Sequence, residues 1–367
     1  MKTKLWMAGA LVVLFACNKS ETVIVQNPGE IAFKAFAGNM TKAAAPEITG
    51  TEFAHENELY VAASTANNPD FFSGVDHKGQ LFKWDGTGQV ETGTGSSTNH
   101  WRAYTGDDFT PIYWPLNEQR VDFLAYASKA AKIGAGEGQI QPVFDATTPA
   151  NQFSVTWDTW DKQIDLLYAV ANNKYKDSPV SAVPLVFKHT QALIIFNAKA
   201  SAGPNVKIDK FTFTDLKTSG RLDVYNDKTD PYITWTSLTP AEVTPKDFQT
   251  DADAVTTAIN NTTKNTGVDT NPACGKFTDE VEGDADEIGA SWKQIGNDLL
   301  VIPQEQPNVT IHYRLATDSY VSLYSITLNL PRKTWEAGKV YFYNIEFHPY
   351  EITVNPSVSN WETGGVW

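Results

Sequence analysis

Apolar and polar residues alternate with period two along most of this 367-residue chain, and stripes at helical spacing are scarce. A strand points successive side chains to opposite faces, so the alternation predicts strands at 31–36, 59–63, 80–84, 112–114, 121–126 and 164–169. Residues 22–25 form a further strand candidate, parted from Ile31 by the turn signal Asn27-Pro28-Gly29. A second series begins at 185–198, apolar through Leu193-Ile194-Ile195-Phe196 as a strand covered on both faces should be. It continues at 206–214, 221–225, 299–302, 309–315, 320–330, 339–347 and 352–354.

The intervals between these runs set the organisation. Residues 38–46 carry Gly, Asn, Thr, Lys, Ala and Pro with no apolar face and read as an exposed loop. A short helix is conceivable at 128–133, ended by Gly134, Gly136 and Gly138. The stretch 174–184 combines Lys, Asp, Ser and two Pro between apolar runs and reads as a linker. From 226 to 297 the chain is polar, rich in Thr, Asp and Asn, and reads as a long insertion with a short helix near 252–260. The expected fold is all β. Two antiparallel β-sandwich domains lie in tandem, 18–180 and 181–367, the second carrying the 226–297 insertion.

The N-terminus breaks this pattern. Lys2 and Lys4 precede a mostly apolar run from Leu5 to Ala16, too short for a spanning helix of about twenty residues, and Cys17 follows directly. Residues 1–17 therefore read as a lipoprotein signal peptide with its acceptor cysteine. Cys17 is the lipidation site, and the polar Asn18-Lys19-Ser20-Glu21 is the start of a tether. An ordinary secretory signal with a chance cysteine is the plainer alternative. Several acyl chains would matter, because one alone binds a membrane only marginally.

Aromatic residues make up 12% of the chain, which favours strands packed on a pleated face. A formal net charge of −14 without a basic patch argues against a nucleic-acid partner. With Cys17 acylated, Cys274 has no intramolecular disulfide partner, and its polar surroundings give no activated-thiol context. The six His show no zinc-ligand spacing, and no Gly-x-Ser-x-Gly elbow occurs. Asp107 with Asp108, or Asp284 with Asp286, offers oxygen ligands but no calcium-loop pattern, so solvated loops are the better reading. No cofactor and no enzyme activity are implied. Trp84, Trp114, Trp235, Trp335 and Trp361 sit in or beside strand patterns, where an indole usually fills a core. Trp101, Trp157 and Trp160 lie in less regular stretches and are the candidates for exposed glycan-binding platforms.

Several segments, in order, resemble the fimbrillin family, the type V pilins and related tip or anchor subunits exported as lipoproteins by Bacteroidales. They are Tyr113-Trp114-Pro115 leading into Val121-Asp122-Phe123-Leu124-Ala125-Tyr126, then Leu185-Val186-Phe187-Lys188-His189 with Ala192-Leu193-Ile194-Ile195-Phe196. Leu300-Val301-Ile302-Pro303-Gln304 and Trp335-Glu336-Ala337-Gly338-Lys339-Val340-Tyr341-Phe342-Tyr343 follow, then Ile352-Thr353-Val354 and Val358-Ser359-Asn360-Trp361. The resemblance implies two β-sandwich domains of transthyretin-like topology and a subunit that builds a fimbrium. A trypsin-like protease would remove the first strand, leaving a groove that a strand from another pilin subunit fills.

Carried onto this chain, the removed strand presents Ile31, Phe33 and Ala35, and the cut falls at Lys42, where the better-known pilins have Arg. Implied partners are other pilin subunits, the outer membrane through the lipid anchor, and a host or bacterial surface ligand. The implied location is the cell outer membrane, surface-exposed, within a fimbrium. Gly364 and Gly365 leave little to donate after Trp361, which favours a tip or minor adhesin-like subunit. The alternative is a surface glycan-binding lipoprotein.

Overall fold

The computed structural model describes residues 29–41, 49–243 and 287–361, less short stretches at 54, 87–89, 93–94, 98–99, 117–119, 159–161, 177–181, 202, 228–229, 316–323, 329, 331–333 and 350. Its strands begin β1 (Ala32–Thr41), β2 (Thr49–Glu52), β3 (Asn57–Thr65), β4 (Gln80–Asp85), β5 (Val90–Thr92), β6 (Gly95–Ser97), β7 (His100–Thr105) and β8 (Asp108–Phe109). Next come β9 (Val121–Lys129), β10 (Val143–Phe144), β11 (Gln152–Asp158), β12 (Leu167–Lys174), β13 (Val183–His189), β14 (Ala192–Ala200), β15 (Val206–Tyr225) and β16 (Tyr232–Val243). The last are β17 (Glu287–Ile288), β18 (Lys293–Val301), β19 (Gln304–Glu305), β20 (Asn308–Leu315), β21 (Tyr324–Leu328), β22 (Thr334–Trp335), β23 (Lys339–Phe347) and β24 (Ile352–Asn360). The fold is all β and of the sandwich type expected; helix is confined to three-residue 3₁₀ turns among the described residues.

The first sheet runs β2-β1-β13-β12-β9-β3-β4-β7-β8, and β1 also pairs with β7. Seven of these strands therefore close into a ring around the first core, and β1 is its closing member. That core gathers Ile31, Phe33, Ala35, Leu59, Val61, Phe82, Trp101, Phe123, Leu185 and Phe187, which the period-two alternation sends to the inner face. The opposite faces of β3, β9 and β12 carry Ala62, Leu124, Tyr126 and Tyr168 into a second core. There they meet Phe144, Phe153, Val155 and Trp157 from β10 and β11, with Leu222 and Val224 from β15.

The C-terminal unit packs the sheet β18-β14-β23-β24 against the first half of β15 with β20 and β21, around Phe196, Phe211, Phe213, Trp335 and Tyr343. Its first strand, β14, pairs parallel with β23, as β1 does with β13.

Several boundaries differ from the sequence reading. The run 185–198 breaks at Thr190, whose N–H and hydroxyl both donate to the Leu166 carbonyl (3.1 and 2.8 Å). Its first part, β13, stays in the first sheet, so the chain passes between sheets near residue 190 rather than 180. The runs 206–214 and 221–225 are one 20-residue strand, bent near Asp215, whose φ is +64°. Gln304 clasps that bend, accepting from the Lys217 N–H (2.7 Å) and donating to the Lys217 carbonyl (3.0 Å). Because β15 serves cores on both sides, the two units share a strand and are not independent beads.

The region read as an insertion supplies β16, paired along β15, and β17. Residues 38–41 continue β1 instead of opening a loop, and 128–129 continue β9. The predicted strand at 112–114 makes only a bridge between Tyr113 and Glu30. The strand expected at 22–25 and the helix expected at 252–260 lie outside the described residues.

Candidate functional site: the slot that holds the first strand

A glycine turn, two backbone hydrogen bonds and the apolar alternation place β1 in the ring. Gly29 turns the chain with φ +71°, which a glycine adopts without the steric penalty of a Cβ. The Gly29 carbonyl accepts from the Trp114 N–H (3.1 Å), and the Ile31 N–H donates to the Ile112 carbonyl (2.7 Å). The alternation then buries Ile31, Phe33 and Ala35 while Lys34 stays exposed.

One edge of β1 runs parallel to β13, from Phe33 opposite Val183 to Ala37 opposite Phe187. Antiparallel pairs place Ala32 opposite Arg102 and Phe33 opposite Trp101 on β7, then Phe36 opposite Glu52 on β2. The Phe33 ring meets Phe82 at 4.8 Å and Phe123 at 5.3 Å between centroids, both edge-on. Burying side chains the size of Ile31 and Phe33 is worth about 1.5–3 kcal/mol each. Withdrawing β1 would open backbone edges on β13 and β7 and leave a hole lined by aromatic rings.

Beside the apolar slot lies a buried ion network. The Arg102 guanidinium donates from Nε to Glu30 Oε1 (2.9 Å) and from Nη2 to Glu30 Oε2 (3.1 Å), a two-bond fork. Its Nη1 donates to Asp85 Oδ2 at 2.7 Å. Glu30 is 5% and Asp85 4% exposed, and the Arg102 side chain is 16% exposed. Burial works against the charge on Arg102, but the hydrogen bonds and charges of Glu30 and Asp85 together outweigh it and raise its pKa. His100, on the same strand, is buried; desolvation and then the nearby Lys34 charge lower its pKa. Glu30, Asp85 and Arg102 escaped the sequence reading. The signal was a charged residue between two apolar ones, Trp101-Arg102-Ala103.

The other polar concentration sits where the chain passes between sheets. His189 Nδ1–H donates to Asp165 Oδ1 at 2.9 Å, with both side chains almost fully buried. The Trp361 indole stacks on the His189 ring at 3.5 Å between centroids and 6° between planes. The Trp361 backbone N–H donates to the Gly338 carbonyl (2.9 Å). Gln163 joins the two units by accepting from the Leu300 N–H (2.7 Å) and donating to the Leu300 carbonyl (3.1 Å).

Two of the expected glycan platforms are corrected. Trp101 is 0% exposed, its alternation position on β7 turning it into the first core against Phe53 and Trp84. Trp157 is 4% exposed, packed 4.9 Å from Trp235 beneath β16. An indole enclosed on both faces offers no surface for a sugar ring. Trp160, Lys42 and Cys17 lie outside the described residues. Among the described residues no group of His, Cys, Asp and Glu has the make-up of a metal site, and no helix is long and apolar enough to cross a membrane.

An all-β chain whose first strand closes a ring and whose two units share a strand belongs to the β-sandwich proteins. More narrowly, the sequence matches the fimbrillin-like family over residues 41–361, and the chain belongs to that family. No curated protein matches the sequence. Similar solved structures include a candidate cell adhesion protein from Bacteroides ovatus, 16% identical, covering 91% of this chain and 98% of that one, with a TM-score of 0.49. Another, described in the same words and from Bacteroides uniformis, is 16% identical over 91% and 99%, with a TM-score of 0.48. A fimbrial protein from Bacteroides vulgatus is 14% identical over 90% and 99%, with a TM-score of 0.47.

Proposed function

We propose that this protein is a non-enzymatic subunit of a surface fimbrium, exported as a lipoprotein acylated at Cys17 and held at the outer membrane until assembly. Assembly proceeds by removal of the first strand after Lys42 and its replacement by a strand from another subunit. The observation that carries this reading is the position of β1. It closes the ring between β13 and β7 and supplies Ile31 and Phe33 to the core. An empty slot would therefore combine unpaired edges with unfilled apolar volume, and both demand a strand.

A tip or minor adhesin-like place in the fibre is favoured by β24, which is paired along its whole length with β23 in its own sheet. A strand so engaged is not offered to a neighbour. The glycan-binding alternative is left with Trp160 alone of its three platforms.

The test has two arms. Trypsin should cut the purified chain beginning at residue 18 at Lys42 before it cuts Lys188 on β13, and immunogold electron microscopy of cells producing the natural, Cys17-bearing protein should place the cut protein on fibres. Label at fibre ends supports the tip assignment, and label along the shaft moves the protein to the stalk. Surface protein that never enters a fibre, or a Lys42 that resists while Lys188 is cut, would sink the proposal.

A further inference from the structure

We propose that Arg102, braced by Asp85, reads a carboxylate at the head of whichever strand occupies the β1 slot, and so selects the incoming partner and sets its register. This rests on the strand-exchange reading above. The occupant it fits is an extended segment of another subunit with an acidic residue directly before two large apolar residues spaced two apart. Glu30, Ile31 and Phe33 hold those positions in the resident strand.

The argument starts from what removal of residues up to Lys42 takes away. Ile31, Phe33 and Ala35 leave the core, but Glu30 leaves too, and with it both acceptors for Arg102 Nε and Nη2. The guanidinium stays behind because it belongs to β7, and its Nη1 is still tied to Asp85 on β4, the neighbouring strand in register. Asp85 thus holds one prong of the fork while the other two donors face the position vacated by Glu30. A guanidinium is planar and cannot lose its proton in this range, so it cannot adapt to a neutral or basic newcomer by titrating. A carboxylate matches the two donors with two oxygens; an amide supplies one acceptor and turns an N–H toward the other.

Register follows from the same geometry. Apolar alternation alone tolerates a slip of two residues, which keeps every side chain on its face. A slip of two carries the acid away from Arg102 and buries an unmatched charge there. The ion network therefore discriminates between registers that the apolar slot treats alike. It also discriminates between partner strands of equal hydrophobicity, since like charges or unpaired buried groups reject a wrong partner more strongly than lost contacts do.

The experiment is a refolding competition. The chain beginning at residue 18 is nicked after Lys42, with both fragments retained, and unfolded in guanidinium chloride. It is then refolded with a large excess of two synthetic peptides in equal amounts, residues 28–37 with the natural sequence and the same peptide carrying Glu30→Gln. Mass spectrometry of the folded complex gives the ratio captured. The natural peptide should be favoured by at least about 30-fold, the scale of a buried charge pair deprived of one partner. On the double variant Arg102→Met/Asp85→Asn, which removes the fork and its brace together, the preference should disappear or reverse. Equal capture of the two peptides by the natural protein would overturn carboxylate reading while leaving strand exchange standing. A preference that persists in the double variant would overturn it too, by placing the discrimination elsewhere. If the protein refolds with neither peptide and only with its own fragment, strand exchange itself fails, and the selection falls with it.

Discussion

Substituting Phe33 by Ala in the uncut chain tests whether β1 is a working part of the first core. The ring is fully buried and lies edge-on to Phe82 at 4.8 Å and Phe123 at 5.3 Å. Those two rings sit on β4 and β9, each hydrogen-bonded to neighbours on the same sheet, so neither can move in to fill the space. Transfer of a Phe side chain back to water costs about 1.5–3 kcal/mol. The unfilled cavity raises the expected loss to about 3–5 kcal/mol, a large part of the roughly 5–15 kcal/mol by which a domain is held folded. Denaturant unfolding, followed by circular dichroism and tryptophan fluorescence, measures it. Lys34→Ala is the internal control, because that side chain is exposed and should change stability by less than about 0.5 kcal/mol. Phe213→Ala, in the C-terminal core, reports whether the shared strand β15 couples the two transitions. A loss below about 1 kcal/mol for Phe33→Ala would mean that the segment merely lies on the molecule, and neither a groove nor its refilling would follow.

Three further outcomes are expected. His100 has a folded pKa below its ordinary value of about 6.5, through burial first and the Lys34 charge second. The unfolded chain therefore takes up this proton before the folded one, and stability should fall as pH drops below about 6.5 towards the folded value. His100→Asn should flatten that part of a urea-derived stability profile, and an unchanged slope would refute the assignment. Trp361→Ala should cost about 3–5 kcal/mol and loosen β24 to proteolysis, since its indole is buried against His189; digestion unchanged in rate and position would count against this. Cys17→Ala should abolish incorporation of a fatty-acid probe in the producing cell, and equal labelling of the two forms would remove the lipid anchor.

Much of the strand map was legible because a half-buried strand writes its own period into the sequence. The alternation around Ile31, Phe33 and Ala35, and along 339–347, marked both the element and its inward face, and the net charge and the absence of catalytic spacings narrowed the classes of function. Those are local properties, set by side chains two residues apart. The irregular approach to Trp101 hid a six-residue strand, so an indole at the centre of the core read as an exposed platform. The break at Thr190 depends on the Leu166 carbonyl, and the continuity of β15 depends on a clasp from Gln304. Neither partner is near in sequence.

The same holds for the site. Alternation shows that residues 31–36 form a strand, but only the fold brings β1 between β13 and β7 to close the ring. Only the fold, likewise, gathers Glu30, Asp85 and Arg102 from three separate segments onto one fork of hydrogen bonds. Face and period are carried by neighbouring residues and can be read from them. Pairing between distant strands, and the buried charges that pairing brings together, is decided by which surfaces fit once the chain has collapsed, and tertiary structure alone settles that.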